Sequence, residues 1–209
     1  MALERQHPAG TITFAGGVLD RHRHVCAFVN GSSDDDSILD PFIKQALDSG
    51  DRVIHIADPA AAGTPLERLS RLGYDTPALL DDGRAVVRTW SDTYLVGGAF
   101  DQAAMLELLE GIFDDSLSPR IRLVADMGWA ADAGVADSLI EFEARANFVS
   151  LHDRHVAICW YDASRFDGAL LIDILRTHPV VLVGGMLQEN PFFVPPAEFL
   201  RGRGQRSDR

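Results

Sequence analysis

Six short runs, apolar almost throughout, set the tightest limit on how this chain can fold. They are His24–Val29, Arg52–Ala57, Ala85–Arg88, Ile121–Asp126, Val156–Tyr161 and Val180–Val183. A strand with no polar side is buried on both faces, as in a parallel sheet covered by helices. The segments between the runs supply the helices. From Ser37 to Ser49, the residues Ile38, Leu39, Phe42, Ile43, Ala46 and Leu47 recur at helical spacing, and Gly50 is a stop. Thr64-Pro65 can open a helix through Leu72, closed by Gly73. Asp101 to Phe113 is amphipathic, with Asp101 as a cap and Ala104, Leu108, Leu109 and Ile112 on one face. Ser138–Leu151 and Asp167–Arg176 complete the helical set. This alternation predicts an α/β fold, a three-layer sandwich with a mostly parallel sheet and right-handed crossovers.

A chain of 209 residues with 46% hydrophobic content suffices for one domain with a real core. The formal charge of −12 argues against a protein that grips nucleic acid through its general field. No apolar run approaches the roughly 20 residues of a membrane span, and Met1–Gly17 has no signal core. Cys26 and Cys159 both lie in apolar runs, which fits buried free thiols in a reducing cytoplasm. The expected organisation is an N-terminal extension over 1–20, a globular domain over 21–200, and a basic disordered tail over 201–209. Its four arginines can contact an acidic partner or the domain's own face.

In open α/β sheets, ligands bind beyond the carboxyl ends of the strands. That rule selects Phe28 and Asn30, Asp58, Thr89 and Tyr94, Asp126 to Trp129, Tyr161 and Asp162, and Asn190 to Phe192. The set is rich in aromatics and suits a small, partly apolar ligand. The first strand-to-helix loop, NGSSDDDSIL, has one glycine, no lysine and the consecutive carboxylates Asp34 to Asp36. A phosphate loop needs glycines, a lysine and a hydroxyl, so this loop repels a triphosphate. Its carboxylates read as helix caps and solvated charge, with a calcium or magnesium site as the alternative.

Several residues carry chemistry in principle. His22, His24 and Cys26 alternate, which resembles part of a transition-metal site that Cys159 or His178 could complete; the alternative is that His24 and Cys26 pack into the sheet. Cys159 reads as a core thiol whose pKa burial raises. No G-x-S-x-G elbow is present for a hydrolase triad. Glu143 and Asn147, four apart, share one helix face and can point at the sheet or at solvent. Trp129 follows a strand end and is placed in a pocket wall. His178-Pro179 reads as a helix-to-strand boundary.

An ordered motif set goes further. It comprises Arg23–Phe28 (RHVCAF), Pro41-Phe42-Ile43, Gly50–Val53, Asp92–Leu95 with Gly98–Asp101, and Met127–Ala130. Phe142-Glu143 with Asn147, Cys159–Asp162, His178-Pro179 and Asn190–Phe193 continue it. With these motifs, over about residues 20 to 200, the chain resembles the MEDS family, the sensory domain of methanogens, methylotrophs and the dichloromethane repressor. The resemblance implies a RecA/KaiC-like fold, related to P-loop NTPases, whose phosphate loop is degenerate. It also implies a sensor of small hydrocarbon derivatives rather than an enzyme. The family's His and Cys on the first strand correspond to His24 and Cys26, and its Cys-x-Tyr-Asp motif to Cys159, Tyr161 and Asp162.

The reading that results is a stand-alone cytoplasmic sensory domain that regulates transcription or signal transduction. Its ligand is a small organic molecule, held by His24, Cys26, Trp129, Glu143, Asn147, Tyr161, Asp162 and Asn190, with no cofactor and no metal assigned. No helix-turn-helix or kinase module is visible in the sequence. The output is therefore expected through a partner signalling protein (a kinase, an anti-sigma factor or a DNA-binding regulator) or a homo-oligomer, without direct contact to nucleic acid or membrane. The alternatives are a degenerate ATPase-like module, a redox or metal sensor through His24, Cys26 and Cys159, and a pure interaction module.

Overall fold

The computed structural model describes residues 11–20, 22–30, 35–114, 119–132, 134–149 and 154–207. In chain order it contains β1 (Ile12–Phe14), β2 (Gly17–Leu19), β3 (His24–Val29), α1 (Asp35–Asp48), β4 (Arg52–Ala57), α2 (Thr64–Arg71), α3 (Thr76–Asp81) and β5 (Ala85–Thr89). It continues with α4 (Gln102–Ile112), β6 (Ile121–Asp126), α5 (Trp129–Asp132), α6 (Ala136–Ala146), β7 (Val156–Asp162), α7 (Gly168–Thr177), β8 (Val180–Val183), β9 (Met186–Glu189) and α8 (Pro196–Ser207). The seven-stranded sheet has the order β5-β4-β6-β7-β3-β8-β9. Every pair is parallel except β8 with β9. All six apolar runs are the parallel strands; the inner ones bury side chains on both faces, whereas β5, at the sheet edge, buries only Ala85 fully.

Alternation along the strands sorts the core into two layers. Cys26, Leu123, Ala125, Ala157, Cys159 and Tyr161 face a layer closed by α4, α6 and α7. Val25, Ala27, Val124, Val156, Ile158 and Trp160 face the other, closed by α1 and the β1–β2 hairpin. Helix starts follow their capping residues. Asp101 accepts from Ala104 N at 3.0 Å and Asp167 accepts from Leu170 N at 2.9 Å. Gly50, at φ +77°, ends α1 in a conformation that favours glycine.

Three expectations about the ends and boundaries change. Residues 12–19, within the expected extension, form the hairpin, and Ile12, Phe14 and Leu19 are buried in the domain core. The expected disordered tail is corrected: α8 is helical through Ser207, and only residues 208 and 209 of that tail lie outside the described residues. The reason is an anchor. Phe199 is buried beneath the Arg176 guanidinium, 5.3 Å from its ring, and Arg203 pairs with Asp137 of α6. The helix expected over 138–151 runs instead from Ala136 to Ala146, and residues 150 and 151 are outside the described set. Residues 1–10 and Asp34 of the acidic loop also lie outside it. The described residues contain no helix long and apolar enough to cross a membrane.

Candidate functional site

The inner face of α6 is apolar through Leu139, Ile140, Phe142 and Ala146, and Glu143 interrupts it. Helical spacing sends that carboxylate to the sheet, where its residue is 0% exposed. Four groups meet it. Its Oε2 lies 3.3 Å from His24 Nε2, 3.4 Å from His178 Nε2 and 3.7 Å from Cys159 Sγ. Its Oε1 accepts the Tyr161 hydroxyl at 2.5 Å. Cys159 Sγ is also 3.4 Å from His24 Nε2. The donors come from separate elements: His24 opens β3, Cys159 and Tyr161 lie on β7, and His178 joins α7 to β8.

Both imidazoles are held from behind. Asn147 Nδ2 donates to the carbonyls of Glu143 at 2.9 Å and Thr177 at 2.9 Å, so its Oδ1 is the atom facing His24 Nδ1 at 3.2 Å. His178 Nδ1 lies 2.9 Å from the Ile174 carbonyl, which can only accept. In each ring Nδ1 therefore carries the hydrogen and donates it, and Nε2 faces Glu143. Asn190 Nδ2 donates to the Leu175 and His178 carbonyls at 2.6 and 2.7 Å, fixing the chain on which His178 sits.

One wall of the centre is aromatic. Tyr94 stacks on Trp129 at 4.7 Å and 19°, and Phe142 meets Tyr94 edge-on at 5.9 Å. Phe100 packs on Trp129 at 4.7 Å. Between wall and centre is a cavity of about 10 Å³, lined by His24, Tyr94, Phe142, Glu143 and Cys159 among others. That is room for one water-sized body. Trp129 Nε1 is buried with no hydrogen-bond partner among the described residues.

Burial controls the charges here. It pushes the His24 pKa down, and the neighbouring His178 adds to the effect. It raises the Cys159 thiol well above its ordinary value, and the Glu143 charge adds to that. Tyr161 and Tyr94 are raised for the same first reason. The groups that donate to the Glu143 carboxylate are the Tyr161 hydroxyl and the Cys159 thiol. A protonated, sheltered thiol is a poor nucleophile. The cluster instead presents two imidazole nitrogens, a sulfur and a carboxylate oxygen within 4.8 Å of one another, a donor set that can hold a cation.

Of the residues expected to form a ligand site, the structure gathers His24, Glu143, Asn147 and Tyr161. Asn190 stands behind His178, and Trp129 forms the aromatic wall. Cys26 lies opposite Cys159 in the β3–β7 register but belongs to the surrounding apolar layer. Asp162 is elsewhere: it caps the turn after β7, accepting from Ser164 N at 3.0 Å. The expected carboxyl-edge location is replaced by one against the sheet face, nearer the amino ends of β3 and β8. His22 is exposed ahead of β3 and outside the cluster. Of the carboxylates expected as caps on the first loop, Asp36 instead pairs with Arg68 at 2.9 Å. Sequence reasoning read Cys159 first as packing and His178 as a boundary, and brought either to His24 only as the completion of an alternative metal site that lacked Glu143. The signal that could have joined them was the inward period of Glu143, which demands buried partners for a charge.

Comparison with known proteins agrees with this architecture. No curated protein matches the sequence. An uncharacterized protein, PH0321 from Pyrococcus horikoshii, solved in complex with an unknown peptide, superposes with a TM-score of 0.59 at 15% identity, covering 78% of this chain and 77% of that one. The flagellar accessory protein FlaH from Methanocaldococcus jannaschii gives a TM-score of 0.52 at 12% identity, covering 86% and 84%. At such identity the likeness establishes the fold alone. The model of the MEDS family, the MEthanogen/methylotroph, DcmR Sensory domain, matches residues 23–179. That span contains β3 to α7 together with every residue of the buried centre, and the chain belongs to the MEDS family.

Proposed function

We propose that this sensory domain detects a small ligand at the buried centre around Glu143 and passes the event to a partner signalling protein. The observation that carries the reading is a carboxylate with no exposure, met by two imidazoles, a thiol and a phenol beside a cavity of about 10 Å³. A packed core gains nothing from such a group, since an apolar side chain of similar volume is at least as stabilising. The cavity as it stands admits one water-sized body, so a small organic compound of a few heavy atoms must displace side chains beside the aromatic wall. A larger ligand requires α6 to move from the sheet. Binding that favours one position of α6 shifts a conformational population, which a partner kinase, anti-sigma factor or DNA-binding regulator can read. Burial of both thiols weighs against a redox sensor.

Trp129, stacked on Tyr94, supplies the readout. Titration of the purified protein with one- to three-carbon alcohols, aldehydes and haloalkanes is expected to give a saturable fluorescence change and a raised melting temperature for at least one class. Glu143→Gln should abolish the saturable part. A purely linear solvent response, identical in wild type and variant, overturns the reading.

A further inference from the structure

We propose that His24 Nε2, His178 Nε2, Cys159 Sγ and Glu143 Oε2 form a closed four-ligand site for a divalent transition-metal cation of the zinc class. This deepens the reading of the centre as the detector by naming what it takes up.

The geometry comes first. Zinc bonds of about 2.0–2.1 Å to nitrogen or oxygen and about 2.3 Å to sulfur put tetrahedral ligands about 3.3 Å apart for N–O edges and about 3.5 Å apart for S–N or S–O edges. The corresponding distances are 3.3 and 3.4 Å for the two N–O edges, 3.4 Å for S–N and 3.7 Å for S–O. Four of the six edges thus match a tetrahedral set, and the two others, from His178 Nε2 to His24 Nε2 and to Cys159 Sγ, are within 4.8 Å.

Hydrogen bookkeeping points the same way. With both Nδ1 atoms donating away from the centre, each neutral ring turns an Nε2 lone pair toward the same carboxylate oxygen. Only the Cys159 hydrogen is left to share among those atoms. His178 Nε2 is fully buried and has no hydrogen-bond partner among the described residues. A cation at the middle satisfies every lone pair at once. Charge balances too: a divalent ion, one thiolate and one carboxylate sum to zero, which suits an apolar surrounding. Uptake breaks the Cys159 S–H bond, forms a metal–sulfur bond and releases one proton to solvent.

The outer contacts have the form expected around a metal. Asn147 and the Ile174 carbonyl orient the rings, and the Tyr161 hydroxyl occupies Oε1, leaving Oε2 for the ion. Mixed imidazole, thiolate and carboxylate donors select a borderline cation over magnesium or calcium. Four protein ligands leave no open position, so occupancy ties β3, α6, β7 and the α7–β8 junction together rather than activating water.

Cobalt(II) is the probe for the test. Chelator-treated protein is expected to bind one equivalent, with tetrahedral d–d bands and a thiolate-to-cobalt charge-transfer band, and zinc should displace it. Melting temperature should climb with free zinc concentration. Cys159→Ser should lose the charge-transfer band, whereas Cys26→Ser should keep it. Asn147→Ala should weaken binding about 10–100-fold while retaining the spectrum. Absence of the bands together with a melting temperature indifferent to zinc overturns the proposal, and the centre is then held by a proton shared with Glu143. Loss of the band in Cys26→Ser but not in Cys159→Ser overturns it as well. A metal-indifferent protein that still responds saturably to small organic ligands refutes this site and leaves the detector reading standing; indifference to both refutes the two together.

Discussion

Two buried histidines show how differently one residue type behaves in this fold. His24 is locked into a polar centre, whereas His55 on β4 is buried with its Nε2 lacking a partner among the described residues. Burial, with the Arg68 charge second, pushes the His55 pKa from 6.5 down to about 3. The unfolded chain therefore binds a proton between those values that the folded chain refuses. His55 costs no stability above pH 6.5, and stability is lost as pH falls from there toward 3. One such proton contributes a slope of up to about 1.4 kcal/mol per pH unit. His55→Leu should flatten the stability–pH curve by up to that amount between pH 6 and 4 in urea titrations. An unchanged slope means the ring is protonated in the folded protein. The apolar run Arg52–Ala57 showed that this ring is buried, but not what surrounds it. The same limit applied to the site. Glu143 and Asn147 were visible as a pair on one helix face from their spacing of four, which left open whether that face met the sheet or solvent. Cys159 and His178 were visible only as types, since their meeting depends on strand order and on the α7–β8 junction.

The opposite sheet face carries a second buried charge. Arg122 on β6 is 0% exposed; its Nε donates to Asp51 Oδ2 at 2.7 Å, and Arg120 Nε donates to the same oxygen at 2.9 Å. Arg122 Nη1 reaches Gln45 Oε1 of α1 at 2.8 Å, and the guanidinium lies 5.0 Å from the Phe42 ring. This network fastens α1 to β4 and β6. Asp51→Ala strands a buried guanidinium and should cost about 3–5 kcal/mol, read by denaturant unfolding. The double variant with Arg122→Met should recover part of that loss; additive losses refute the coupling. The β1–β2 hairpin is joined more lightly. A Cβ on Gly17 meets Leu187 of β9 at 3.0 and 3.1 Å. Gly17→Val should cost about 1–3 kcal/mol and speed amide exchange across residues 12–19. Normal exchange there shows that β9 can yield. Elements differed in legibility for physical reasons. The inner parallel strands stood out because burial on both faces leaves no polar side, and the edge strand β5 stood out only through its short run Ala85–Val87. The three-residue strands of the hairpin are too short to show alternation, and Ala15 at φ +46° hides its turn behind a residue that rarely adopts one. α8 contains Gly202, Gly204 and several arginines, a poor intrinsic helix, and tertiary contacts through Phe199 and Arg203 decide it.

A RecA/KaiC-like sheet places its first crossover helix where related architectures hold phosphate, and the charges around α1 decide whether this chain still can. Two arginines lie near that end, but both are engaged. Asp36 Oδ1 takes Arg68 Nη2 and Arg71 Nη2, each at 2.9 Å, and Asp40 takes Arg68 Nε at 3.0 Å and Arg71 Nη1 at 2.5 Å. An incoming triphosphate would have to displace carboxylates already in place, against a whole-chain charge of −12. The helix dipole that elsewhere favours an anion is met here by the protein's own acids. Millimolar magnesium-ATP is therefore expected to give no heat in titration calorimetry and no rise in melting temperature, in low salt where electrostatic attraction is least screened. Removing both acids, Asp36→Ala with Asp40→Ala, frees the two guanidiniums. If charge alone bars phosphate, this variant should acquire weak, salt-sensitive ATP binding that the wild type lacks. Saturable submillimolar binding by the wild type would instead assign this chain a nucleotide site and make the Glu143 centre secondary to it. Silence in both proteins would place the barrier in the composition of residues 30–39, which include one glycine and no lysine, since glycines and a lysine are needed to bring backbone amides around a phosphate.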